Sequence, residues 1–430
     1  MSTSIPDIVA RIPFVDTHEH YVPESVRLNG GEPDGTPWAF GADDWTIFFA
    51  MYLRDDAFVS GMGDADLNRF FAPGLDAAGK FRLFAPYWQR IRHTGYAQAV
   101  RRTLRALYDE DDLTAETAPR LAEKYEAFRR PGFYREILGR ANVEYAQVNS
   151  LRRIFEEPEQ PDLLRQDLGL LELTAASEVD IAQVERETGR KTTSFDDWLA
   201  TIEWYFATYG PRAVAVKSQM AYRRRLDYAP VDRHRAEAAF RRRLSGWRAD
   251  EDDMLVQNFL FRHCIEKATA MGLPVKLHTG FYAGRGYMRL ERLRHNAADV
   301  ALLLQAFPDT TFVLMHIGYP YQNEFLALAK HYRNAVIDMC WAWIIDPLAA
   351  TRFVKDFICT APSNKLLTFG GDYLAAETTV GHAQIARQGI AQAMRELVAE
   401  GWIGAEDVPP LAEAIMRGNA HQLFGERGGA

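Results

Sequence analysis

From residue 142 onward, short apolar runs alternate with helix-like runs, and this alternation restricts the fold of the 430-residue chain more than any other feature. Strands are expected at residues 142–150, 168–174, 212–218, 273–279, 311–318, 335–340 and 366–372. Helices are expected at about 195–209, 252–271, 290–307, 321–332, 347–360 and 382–399, with a last one at 407–424. An earlier strand is expected over residues 12–18, after a lead-in helix that Ser4 caps and that carries Pro6 in its first turn. Parallel strands cannot be joined by tight turns, so strand and helix alternating over this length imply helical crossovers. Eight such strands make one (β/α)8 TIM barrel. Residues 21–141 interrupt the pattern: they lack a strand signal and carry helical periods at 45–53, 80–92, 96–108 and 118–128. So long a connection is read as a helical insertion after strand 1, capping a barrel formed by residues 1–20 and 142–430.

In a parallel barrel the site lies at the carboxyl ends of the strands, so polar residues that close apolar runs carry the functional information. The first run ends in His18 and His20, the fourth in Lys217, the fifth in His278, the sixth in His316 and the eighth in Asp372. Alternation along a strand turns His18 and His20 to one face and Glu19 to the other. A His-x-His pair alone is weak evidence, but four of the 11 histidines fall at three strand ends where a metal would want them. His18, His20, His278 and Asp372 are the natural ligands of a divalent ion that activates water, with Asp372 placed to move the proton. His316 is expected to polarise the substrate, to steady the water or to join a second ion. Lys217 has three readings: a carbamylated bridge between two ions, a cation that orients an acidic substrate, or a partner in a structural ion pair. One ion is preferred over two, because nothing in the spacing demands a second.

Arginine forks grip carboxylates at two points, and Arg223 follows the fourth strand while Arg285 lies in the loop after the fifth. With Lys217 and Tyr222 they form the expected substrate-binding set, and they point to an acidic small molecule. Tyr373 and Glu377 are candidates on weaker ground. The arginine-rich segment 223–248 is interleaved with Asp227, Asp232 and Glu237, which favours a solvated helix face or a subunit contact over a phosphate site.

Composition removes whole classes of function. A net charge of −8 argues against nucleic acid and anionic membranes, both of which call for a basic surface. Three cysteines without a CxxC pair make a disulfide framework improbable and fit a reducing compartment. Neither a signal peptide nor a long apolar span is present in the sequence, so a cytoplasmic protein off the membrane is expected. A homo-oligomer is compatible with the large apolar insertion.

The motifs "VDTHEH", "AVKSQMAYRRRL", "LPVKLHTG", "FVLMHIGYP" and "LTFGGDYL" together resemble the amidohydrolase superfamily, in particular its amidohydrolase-related (amidohydrolase 2) branch. They lie between residues 12 and 374. The lysine-serine-x-x-alanine-tyrosine-arginine pattern is similar to the amidohydrolase-like domains found fused to glutamine-synthetase-like domains. The resemblance implies a distorted barrel, zinc (with manganese as the other choice) held by His18, His20, His278 and Asp372, and a catalytic part for His316. The branch includes hydrolases of amides and lactones, nonoxidative decarboxylases and sugar-acid isomerases, so the metal site does not itself select the reaction. The leading expectation is a metal-dependent hydrolase that cleaves a C–N or C–O bond of a small carboxylated molecule through metal-activated water. The rivals are a decarboxylase, a uronate-type isomerase and, more remotely, a non-catalytic binding protein.

Overall fold

The computed structural model describes residues 4–31, 43–170, 174, 181–284 and 288–425. The chain divides into two units, Met1–Val148 with Tyr282–Met288 and Asp338–Ala420, and Asn149–Phe281 with Arg289–Ile337 and His421–Ala430.

The first unit is organised around strand Phe14–Glu19, every residue of which is buried. The lead-in helix Ile5–Arg11 precedes it, with Ser4 at its cap. On one side the strand pairs in parallel with Val143–Val148. On the other, Thr17 N–H donates to Phe369 O, Asp372 N–H to His18 O and His20 N–H to Tyr373 O, each at 2.9 Å. The segment that carries Asp372 is thereby laid alongside the segment that carries the two histidines.

Helices Ala77–Ile91, Gly95–Tyr108, Thr117–Phe128 and Phe133–Ala141 follow the apolar periods of the sequence. Asp76 and Thr94 cap the first two by accepting from Gly79 N–H and Ala97 N–H, which satisfies donors that a helix start leaves open. The aromatic residues of this region are mainly core. Phe70 stacks on Phe84 at 4.6 Å, and Phe49 meets both rings and Trp88 edge-on. Glu377, weakly expected at a pocket, accepts from both terminal nitrogens of buried Arg27 at 2.7 and 2.8 Å. It is committed to a structural ion pair.

The second unit carries parallel strands in consecutive order: Leu168–Gly169, Val216–Ser218, Val275–Leu277, Phe312–Leu314 and residues 335–337. Their side chains are buried, as expected of parallel strands with helices between them in sequence. The helices include Phe195–Tyr209, Asp250–Ala270 and Gln322–His331. Asp250, Glu251, Asp252 and Asp253 open the second of these, where the helix dipole favours negative charge. In the arginine-rich segment, exposed Arg241 pairs with Glu237 and Arg242 with Asp252, which fits the solvated-face reading.

The ladders are shorter than the apolar runs. Residues 311–318 yield a strand only at Phe312–Leu314, because His316 (φ 62°) and Ile317 (φ 50°) leave the extended region. Residues 366–372 yield Leu366–Leu367, and Asp372 has φ 65°. Of the expected strand 168–174, Leu168–Gly169 is formed, and residues 171–173 lie outside the described residues. Among the described residues, no helix is long and apolar enough to cross a membrane.

Candidate metal centre

Three side chains converge in the first unit. The two-residue period of the strand places His18 and His20 together, with ring centroids 4.6 Å apart and nearly perpendicular. Asp372 Oδ1 lies 3.1 Å from Nε2 of each. One nitrogen or oxygen from each of the three residues falls within 4.8 Å of the others, and all three residues are buried.

The Gly-Gly step before Asp372 is required by close packing. A Cβ on Gly370 would lie 2.4 Å from Cys340 Cβ and 3.0 Å from His18 N, and one on Gly371 would lie 2.1 Å from Glu19 Oε1. Glu19 cannot easily yield, since it accepts from Tyr373 N–H and from the Tyr21 hydroxyl, each at 2.7 Å. Gly371→Ala is therefore expected to lower the stability of the unit by about 1–3 kcal/mol, the usual cost of overpacking. Urea unfolding followed by tryptophan fluorescence measures it, and an unchanged midpoint would show that Glu19 can move after all.

Burial works against ionisation of Asp372, but the charge and hydrogen bonds of His18, joined by those of His20, hold it well below the usual carboxylate range. Beside it, burial pushes Asp16 up to about 7 although Glu19 and the His18 N–H bond to it. Glu19 is raised as well, first by burial and then by the charge of Asp16. The charges of the two carboxyls repel, so a proton on either one relieves the repulsion. The Thr17 hydroxyl donates to Asp338 at 2.7 Å, and Cys340 N–H donates to the other oxygen of Asp338 at 2.9 Å. Asp16 and Asp338 are absent from the candidates that strand ends mark. A signal for them exists all the same: a carboxylate inside or closing a wholly buried strand needs a partner.

Two imidazoles and one carboxylate, buried and preorganised, are a donor set that suits zinc and tolerates manganese. The residues present fit a divalent ion.

The second unit brings together another part of the expected set. His316 Nε2 lies 3.0 Å from His278 Nδ1, and His278 Nε2 lies 3.0 Å from Phe281 O. A carbonyl only accepts, so His278 donates from Nε2 and accepts from His316 at Nδ1. The Tyr222 ring sits 4.5 Å from that of His278. Lys217 is buried on its strand, in register with Lys276. Arg223 is exposed at the end of the turn Met220–Tyr222, whereas its neighbour Arg224 is buried against Gln257 and Asn258. Arg285 lies outside the described residues.

Residues 180–425 match the family described as Amidohydrolase. Protein fluG of Emericella nidulans is 26% identical over 226 residues, which make up 50% of this chain and only 26% of that protein. Among solved structures, the uronate isomerase of Thermotoga maritima aligns with a TM-score of 0.75 at 13% identity, over 98% of this chain and 96% of its own. A candidate metal-dependent hydrolase of Lactobacillus casei aligns with a TM-score of 0.68 at 17% identity, over 99% and 98%. At these identities the likeness establishes a shared mixed α/β fold.

Proposed function

The chain belongs to the amidohydrolase family, and from that premise we propose that it is a metal-dependent hydrolase cleaving a C–N or C–O bond of a small carboxylated amide or lactone. The observation that carries this reading is the buried meeting of His18, His20 and Asp372. In the full proposal, residues 1–20 and 142–430 close a distorted (β/α)8 barrel capped by residues 21–141. His18, His20 and Asp372 hold one divalent ion, zinc in preference to manganese, with His278 as a further ligand once the ion displaces one of the bonds its ring nitrogens make to His316 and Phe281 O. Such an ion supplies Lewis acidity, lowering the pKa of a water molecule towards ~7 and polarising a carbonyl.

The remaining work belongs to the chain. Asp372, ionised across the neutral range, accepts the proton of the attacking water at its carboxylate and returns it to the leaving nitrogen or oxygen. His316, once its Nε2 proton is released from His278, donates to the developing charge on the substrate. Lys217, Tyr222, Arg223 and Arg285 grip the substrate carboxylate, the arginines in the two-point manner that suits it. Burial around Asp372 excludes bulk water and so strengthens each of these interactions.

The test is product analysis on a panel of carboxylated amides, lactones, aromatic acids and uronates. Release of an amine or opening of a lactone is expected. Carbon dioxide from an aromatic acid would replace this reading with a decarboxylase, and loss of aldehyde from a uronate would replace it with an isomerase. Metal removal is a separate prediction: dialysis against a chelator should abolish turnover, and about one zinc per chain should restore it. Elemental analysis of the purified protein counts the ions, and activity undiminished in metal-free protein would refute the metal-dependent mechanism.

A further inference from the structure

Tyr52 stands 320 residues before Asp372, in the stretch between helices Ile47–Ala50 and Leu53–Val59. Its hydroxyl donates to the backbone carbonyl of Asp372. Its ring is buried against Trp341 at 4.9 Å and Tyr96 at 5.0 Å, with Tyr373 edge-on at 5.7 Å. Three non-glycine residues with left-handed backbone meet here: Tyr52 (φ 62°, ψ −57°), Trp341 (φ 62°, ψ −27°) and Asp372 (φ 65°). Side chains disfavour that region, so each conformation persists only because its surroundings impose it, and such residues gather where geometry serves function.

We propose that Tyr52 is a positioning residue of the metal centre, fixing the Asp372 peptide so that the carboxylate faces His18 and His20. The peptide is held from both sides. Asp372 N–H donates to His18 O at 2.9 Å, and its carbonyl accepts from Tyr52. With φ and ψ of Asp372 pinned, the direction of its Cα–Cβ bond is pinned too, and Oδ1 rests 3.1 Å from both imidazoles. Without the phenol, the carbonyl side loses the bond that opposes rotation of Asp372 towards the ordinary region. The Tyr52 ring, locked among Trp341, Tyr96 and Tyr373, supplies a donor whose place does not drift. This also gives residues 21–141 a task beyond covering the site: one of their side chains sets the geometry of a ligand far away in sequence.

The inference rests on the metal-centre reading, and cobalt binding separates the two. Wild-type protein stripped of metal and titrated with cobalt(II) is expected to show visible absorption of a low-symmetry site. Tyr52→Phe keeps the ring and loses the donor. It is expected to unfold cooperatively as the wild type does, to bind cobalt about 10–100-fold more weakly and to show a shifted spectrum, as loss of a group that orients a ligand does. Wild-type affinity and spectrum in Tyr52→Phe would overturn the positioning role while leaving the metal centre in place. A Tyr52→Phe protein that no longer folds would also overturn it, in favour of a purely structural part. No cobalt bound by the wild type would overturn both the metal centre and the role of Tyr52.

Discussion

Asp372→Asn is expected to reduce turnover by about 10²–10⁴-fold or more while leaving the protein folded. The substitution preserves shape and removes charge. The new carboxamide would still fill the space between His18 and His20, since Oδ1 of Asp372 already sits 3.1 Å from both nitrogens. An amide oxygen can still accept from the imidazoles, so the local fold survives. What disappears is the anion that burial alone would not permit and that His18 and His20 sustain. A neutral amide is a poor ligand for a divalent cation and cannot take up a proton. Two losses therefore coincide, and they can be told apart. Metal content after extensive dialysis reports the first, and turnover at saturating zinc reports the second. If the Asp372→Asn protein holds its ion and turns over at the wild-type rate, Asp372 is neither ligand nor base. His18→Ala should lose the ion as well, but it also opens a cavity in a strand with no exposed residue, so Asp372→Asn is the cleaner variant.

Two of the helices were legible in the sequence to the residue, while others, such as Asp64–Phe71, were not marked as helices at all. Phe195–Tyr209 and Pro347–Thr360 begin and end where their apolar period and caps place them, Ser194 and Asp346 each accepting from a backbone N–H of the first turn. Strands were legible as existing but not in extent. An apolar run signals burial, and burial continues past the end of the ladder into the turns at residues 315–318 and 368–373. The first ladder stops at Leu314, just before the left-handed His316, whereas the second stops at Leu367, five residues before the left-handed Asp372.

The meeting of His18, His20 and Asp372 was legible for a related reason. Ligand types recur at the ends of parallel strands, and strand ends are what an alternating pattern marks best. Tyr52 was not legible. It lies in a helical stretch where aromatic residues are mostly core, as Phe49, Phe70 and Phe84 are, and its link to Asp372 is a side chain reaching a backbone carbonyl. No spacing rule encodes such a link.

Lys276→Met should destabilise the second unit by about 3–5 kcal/mol. Lys276 stands mid-strand in Val275–Leu277 with no exposed surface, and its Nζ donates to both oxygens of Asp167 at 2.9 and 2.8 Å. Methionine fills nearly the same volume, so packing is kept. Asp167, itself unexposed, loses the Lys276 charge that offsets its burial, and that loss is the costly step. Removing both charges should cost much less. Lys276→Met combined with Asp167→Leu replaces the pair by apolar side chains, an exchange that is often neutral or stabilising in other buried pairs. The pair of variants thus distinguishes two accounts of Lys276. If the loss comes from the stranded carboxylate, the double variant recovers most of the stability in urea unfolding. If it comes from the packing of the lysine stem and its ammonium over the Phe424 ring at 5.2 Å, both variants lose alike. The same reasoning bears on Lys217, its neighbour in register: a buried strand lysine already serving an ion pair has no need of a metal, so the behaviour of Lys276 sets the baseline against which a substrate-orienting or carbamylated Lys217 would be recognised.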